Sequence, residues 1–163
     1  MIDLPRSSEI KKTCESHIHD SRGYASMSAH AAIESVLARH TASVIYAEAE
    51  AIIRVLVAQR AAHGTEDPRV NSFSKVASQR LIRSIKISEL SGIPGHFSSD
   101  CKNHFSQSLT SKQKTDWDSL MGYRHDTAHE NSGSVEHLTL ADIDGYFASI
   151  AEVLDVFADS LHH

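Results

Sequence analysis

The most reactive run of side chains in this 163-residue chain lies between residues 120 and 129. Arg124 contributes a permanent cation, His125 and His129 contribute imidazoles, Asp126 a carboxylate and Thr127 a hydroxyl. The run follows a predicted helix and precedes a stretch containing Ser and Gly. Scaffolds commonly display functional groups at such positions. We therefore take this segment as the candidate site.

Arg124 and His129 are of the types that phosphodiester cleavage uses. Arginine presents a planar fork of donors to phosphate oxygens and stays charged at any working pH. Histidine has an unperturbed pKa of about 6.5, so near neutrality it can accept a proton from a hydroxyl or return one to a leaving oxygen. RNA supplies its own nucleophile in the 2′-hydroxyl, so this pair needs no metal.

The same segment could also be interpreted as a metal site. His125 and His129 lie four residues apart and would share one face of a helix. Asp126, Glu130 and His137 could add ligands, but there is no HExxH motif and no nearby cysteine. We therefore expect no metal, and no other cofactor.

The spacing of Arg124 and His129 poses a geometric problem. A five-residue step turns by about 140° on an ideal helix, so the two side chains would diverge. Either the backbone leaves the helix within the motif, or a second copy of the chain completes the site across a two-fold axis.

The run from Tyr123 to His129 resembles the signature of HEPN domains, in which an arginine is followed by a polar residue and then, a few residues later, by a histidine. Its position between a helix and a loop into the final helix is also similar. The segment from Ser43 to Glu48, in a long apolar helix, resembles the RiboL-PSP HEPN subgroup. The likeness spans roughly residues 35 to 160.

This resemblance implies an all-α fold, a homodimer that pairs two motifs in one cleft, and metal-independent endoribonuclease activity that leaves a 2′,3′-cyclic phosphate. Carried over by position, Arg124 and His129 are catalytic and His125 is the polar residue of the catalytic motif, supported by Tyr123, Asp126 and Thr127. Toxin and phage-defence roles are common in the family, so an antitoxin or regulatory protein is a possible partner. The alternatives are a catalytically inactive HEPN module that binds a protein partner or a nucleotide, and a purely structural helical bundle.

The elements that position these residues are all predicted helices, because apolar residues recur at helical spacing and no stretch alternates like a strand. They combine into a helical bundle around one long central helix, within a single domain over residues 1–163. Residues 1–22 form an N-terminal helix or arm, and 161–163 are a possible tag remnant. The predicted helices cover about Ser7 to Asp20, Ser26 to Ala62 (one helix, or two meeting near His40), Pro68 to Ile87, Cys101 to Phe105, Thr110 into the motif, and Leu140 to Leu161.

Glu48 is the second candidate residue. It lies four residues from both Val44 and Ile52, inside an apolar stripe, whereas Glu50 is rotated by about 200° and is expected to face water. A carboxylate on a packing face needs a partner. We expect Glu48 to orient Arg124 or a motif histidine, with a structural ion pair or an edge position as the alternative.

Charge is distributed unevenly along the chain. The net charge of −5 argues against bulk nucleic-acid binding, and beyond Arg124 the chain carries eight carboxylates and no Lys or Arg. Residues 68–88, in contrast, contain basic residues and no acidic one. Arg80 and Arg83, three residues apart, are predicted to share a helix face that contacts RNA with two neighbouring lysines, Lys75 and Lys86. The alternative is a solvated surface.

Two features bear on location. No apolar run approaches the length of a membrane span, and the first residues lack the layout of a signal peptide. The two cysteines, Cys14 and Cys101, show no CxxC spacing and are expected to be reduced. We expect a cytoplasmic protein that does not contact membranes.

Overall fold

A computed structural model of the chain describes residues 2–23, 25–63, 65, 67–129 and 138–162, apart from the side chains of residues 125–129. All regular structure in these ranges is helical, which confirms the all-α prediction. These ranges contain seven α-helices and one short 3₁₀ turn, at Pro94–His96. The helices are α1 Pro5–Ser21, α2 Met27–Ala62, α3 Pro68–Leu81, α4 Ile87–Leu90, α5 Ser99–Ser108, α6 Ser111–His129 and α7 Leu140–Ser160.

Local side chains fix where α2 and α3 begin. Ser26 caps α2, its hydroxyl accepting a hydrogen bond from the Ala29 amide at 3.3 Å. The helix then runs for 36 residues without a break, so the alternative of two helices meeting near His40 is not realised. The Asp67 carboxylate caps α3 by accepting from the Arg69 amide at 2.8 Å. Both starts agree with the sequence prediction.

Capping boxes open α6 and α7. The Thr110 amide donates to Gln113 Oε1 at 2.8 Å, while the Gln113 amide donates back to the Thr110 hydroxyl at 3.2 Å. Thr139 and Asp142 make the same reciprocal pair at the start of α7. The helix that carries the candidate motif therefore starts at the predicted residue.

The long helix α2 is the centre of the bundle and packs against α1, α3, α6 and α7. Small residues on it, such as Ala42 and Ala49, are fully buried and allow neighbouring helices to approach closely. The core that surrounds them includes Ile45, Ile53, Trp117, Leu120, Ile150, Leu154 and Phe157.

The end of α3 differs from the prediction. This helix was expected to continue to about Ile87, but it ends at Leu81. The Ile82 carbonyl, which would accept from residue 86 in a continuing helix, instead accepts from Arg54 Nε at 2.8 Å. Ser84 adopts a φ of 50°, in the left-handed region that a helix excludes. The prediction that Arg80 and Arg83 share a helix face is therefore wrong.

Among the described residues, none of the helices has both the length and the apolar character that crossing a bilayer requires. Cys14 and Cys101 are both buried, and both are free thiols.

Phe157→Ala tests the core. The Phe157 ring is fully buried and stands edge-on to Phe105, with the ring centroids 5.5 Å apart. We expect the substitution to lower the free energy of unfolding by about 3–5 kcal/mol, because it removes the ring and leaves a cavity. Urea denaturation gives this value. The matched control Phe73→Ala, at a residue that is 73% exposed, should change it by less than about 0.5 kcal/mol. Equal effects would contradict this description of the core.

Candidate functional site

A buried carboxylate, Glu50 of α2, organises the candidate site. Its side chain is only 1% exposed. Oε2 accepts from Arg124 Nη1 at 2.7 Å and from Arg54 Nη2 at 3.1 Å. Oε1 accepts from the Ser84 backbone amide. Both oxygens are therefore bonded, which offsets the cost of taking a charge out of water.

This arrangement corrects the prediction for the two glutamates of α2. Glu50, expected to face water, is the buried residue that binds Arg124. Glu48 is half-buried and lies against α1, where it accepts from the backbone amides of Arg6 at 3.0 Å and Ser7 at 2.7 Å and so caps that helix. The expected contact between Glu48 and Arg124 is therefore wrong.

The error has a physical cause. A helix that packs against four others has no single buried stripe, so the phase defined by Val44 and Ile52 could not decide between the glutamates. The spacing of Glu50 and Arg54 was the signal that sequence reasoning missed. A glutamate four residues before an arginine is the favourable orientation for an ion pair on one helix.

Arg124 projects from α6 onto this carboxylate. Its side chain is 35% exposed, and its guanidinium carbon lies 5.5 Å from the centre of the Tyr46 ring. The ring face attracts the cation and limits the positions that it can take. A guanidinium has five N–H donors, and the bond to Glu50 uses Nη1. Arg124 is therefore an oriented and partly exposed cation.

Burial and a hydrogen bond hold the side chain of Tyr46 in place. It is fully buried, and its hydroxyl donates to the Ile85 carbonyl at 2.8 Å. The Trp117 indole N–H donates to the same carbonyl at 3.0 Å, and the two ring centroids are 5.3 Å apart. Burial, followed by the nearby Glu50 charge, raises the pKa of Tyr46 far above its usual value. The hydroxyl thus remains a protonated donor.

The segment after α3 is bound to this cluster along its length. Beyond the contacts of Ile82, Ser84 and Ile85 already given, the Ile87 amide donates to Asp118 Oδ1 of α6 at 2.8 Å. These bonds join α2, α6 and the segment of residues 82–87 into one cluster.

The charges of the cluster balance. Glu50 and Asp118 contribute two negative charges, and Arg54 and Arg124 contribute two positive ones, of which both are partly exposed. An anion that approaches the exposed part of Arg124 meets a cation whose attraction is increased by the low-dielectric protein behind it. A phosphate group has negative charge and pairs of oxygens that the planar fork of a guanidinium group can bind through two parallel hydrogen bonds.

The remaining motif residues are only partly described. α6 continues as a helix to His129, so the backbone does not leave the helix within the motif, and positions 124 and 129 are about 140° apart around the axis. The side-chain roles assigned to His125, Asp126, Thr127 and His129 lie outside the described residues. Tyr123 is half-buried, with its ring centroid 6.1 Å from that of Tyr146.

The four residues predicted to contact RNA are all exposed. They do not form one helical strip, because Arg83 and Lys86 follow the end of α3. Arg83 does precede Ser84, whose amide binds the same carboxylate as Arg124. Lys75 and Arg80 lie on α3 itself.

Comparison of the chain with protein-family models, with curated proteins and with solved structures gives no match. Function is therefore argued from the residues and their geometry.

Glu50→Gln and Glu48→Gln form a matched pair on one helix. Glu50→Gln leaves two guanidinium groups without their carboxylate, so we expect it to lower the free energy of unfolding by about 1.5–3 kcal/mol. Glu48→Gln keeps an oxygen to cap α1 and should cost less than about 1 kcal/mol. Urea unfolding of both variants measures the difference. A larger loss in Glu48→Gln would show that the cap, and not the buried cluster, is the more important of the two.

Proposed function

We propose that the protein is a homodimeric, metal-independent endoribonuclease of the HEPN type that acts on RNA in the cytoplasm. One observation carries the proposal. Arg124, the first residue of an Arg-x-x-x-x-His motif, is held by a buried carboxylate while about a third of its side chain stays exposed. The side chain of such an arginine is already ordered before a phosphate binds, so binding costs less conformational entropy.

In the proposed reaction Arg124 binds a non-bridging oxygen of the scissile phosphate and stabilises the charge that develops there. His129 of one copy accepts the proton of the 2′-hydroxyl as the 2′-oxygen bonds to phosphorus. The bond from phosphorus to the 5′-oxygen breaks, and that oxygen takes a proton from water. The products are a 2′,3′-cyclic phosphate and a free 5′-hydroxyl. His125 is the supporting polar residue.

The contacts of Arg124 also bear on the alternative, a catalytically inactive HEPN module that binds a protein or a nucleotide. An arginine already paired with Glu50 could serve to hold α6 on α2. Incubating the protein with labelled RNA in excess EDTA distinguishes the two proposals, because only the enzyme cleaves the RNA.

Arg124→Ala and His129→Ala should each abolish this cleavage, because each removes a group that contacts the reacting atoms. The matched controls are Arg39→Ala and His40→Ala, on a part of α2 that lies outside the cluster. Gel analysis of labelled RNA measures the rate, and thermal melting checks the fold. Full activity in both motif variants would disprove the catalytic assignment.

A two-fold dimer supplies the geometry that one chain lacks, since positions 124 and 129 diverge on a continuous helix. We therefore expect sedimentation to give a dimer at micromolar concentration. Mixing Arg124→Ala with His129→Ala should restore part of the activity, because a mixed dimer can hold one intact pair. A fully active monomer would contradict the shared site.

Arg80→Glu combined with Arg83→Glu should weaken RNA binding and flatten its dependence on salt, since the slope reports how many phosphate contacts release counterions. Lys12→Glu with Arg22→Glu makes the same change of net charge at exposed positions on and just after α1, and serves as the control. Filter binding at several salt concentrations gives both slopes. Parallel slopes for the two double variants would show that the basic segment does not contact RNA.

A further inference from the structure

The helix α3 exposes its apolar side chains. Phe73 is 73% and Leu81 is 76% exposed, and Val70 and Val76 are also exposed. The one buried residue of this helix is Ser78. An amphipathic helix normally packs its apolar face inward. Contiguous exposed apolar surface of this kind marks a place where another molecule binds.

A groove runs beside this apolar face. It has a volume of about 410 Å³. Ala77, Leu81 and Phe73 of α3 form one wall. The other wall comes from the end of α2 and from the segment after α4, and includes Val57, Ala61, Ile93 and Phe97. A concave, mostly apolar groove matches the ridge of side chains that a helix presents. A flat lipid surface would leave it unfilled.

The charges around the groove indicate the chemistry of its occupant. Arg69 and Arg80 lie within about 40° of Phe73 around the axis of α3, on the side that faces solvent. No acidic residue occurs between Pro68 and Ser88. Glu89 also lines the groove and adds one acidic side chain, whose carboxylate accepts from the Lys86 amide at 2.9 Å. Positive charge therefore borders the apolar face on one side, along α3.

We propose that this groove binds an amphipathic helical segment of a partner protein, whose apolar ridge carries carboxylates along one side. The ridge would cover Phe73 and Leu81, and the carboxylates would pair with Arg69 and Arg80. A second copy of this chain fits less well, because an antiparallel two-fold pairing of α3 helices would bring Arg69 of one copy against Arg80 of the other. The inference goes beyond the proposed nuclease activity and does not depend on it.

The probe is a fluorescent helical peptide about four turns long, with leucines at positions i, i+3 and i+7 and glutamates along one flank. A second peptide has lysine in place of every glutamate. The fluorescence anisotropy of each peptide is measured as the unmodified protein is added. The glutamate peptide should bind at least about tenfold more tightly than the lysine peptide, and salt should reduce this difference in affinity.

Two double variants test the surface itself. Phe73→Ser with Leu81→Ser should weaken binding of the glutamate peptide by at least about tenfold, because exposed apolar anchors dominate such contacts. Arg69→Glu with Arg80→Glu should invert the preference, so that the lysine peptide binds more tightly. The matched control is Met27→Ser with Val36→Ser, which removes two exposed apolar side chains of α2 and should change neither affinity.

Four results would overturn the proposal. The first is no binding of the glutamate peptide, and the second is equal binding of both peptides. The third is a dimer that Phe73→Ser with Leu81→Ser converts to a monomer, since a second copy would then occupy the face. The fourth is binding of anionic phosphatidylserine vesicles that the same variant abolishes while peptide binding is absent. Each readout is taken without RNA, so failure here is distinct from failure of the nuclease.

Discussion

The burial of one carboxylate constrains much of this structure. A charged glutamate at 1% exposure is tolerated only where its oxygens are bonded, and Glu50 draws those bonds from its own helix, from α6 and from the backbone of residues 82–87. Arg124 thereby acquires a fixed orientation, and the end of α3 acquires its sharp turn. The site and the fold around it are consequently parts of one arrangement. A substitution of Glu50 would remove bonds to α2, to α6 and to the segment of residues 82–87.

The helix starts were predictable because the groups that fix them are close in sequence. Asp67 caps the helix that begins at the next residue, and Thr139 with Asp142 closes a box within a single turn. The end of α3 was not predictable in the same way. It depends on Arg54, which lies 28 residues earlier and takes the carbonyl that the helix would have used. Local pattern cannot reveal a competitor from another helix.

The candidate site likewise has a part that the local sequence predicts and a part that depends on residues distant in sequence. Arg124 was singled out as a candidate from residue type and spacing alone. Its partner was missed, because the two residues are 74 apart in sequence and meet only through the register of α6 against α2. The sequence pattern also could not predict that the apolar face of α3 points to solvent. The apolar periodicity of a helix is the same whether its stripe faces the core or solvent, and only the packing of the other elements decides which.

The shared carbonyl of Ile85 has a practical consequence. The chain contains one tryptophan, Trp117, and its indole N–H is held by that carbonyl in a fully buried position beside Tyr46. Tyr46 in turn lies under the guanidinium of Arg124. The indole fluorescence of the protein, which is distinct in wavelength from that of its four tyrosines, therefore comes from a single side chain two contacts away from the candidate site. Its emission wavelength and quenching report on that neighbourhood in the unlabelled protein, free of signal from any other indole.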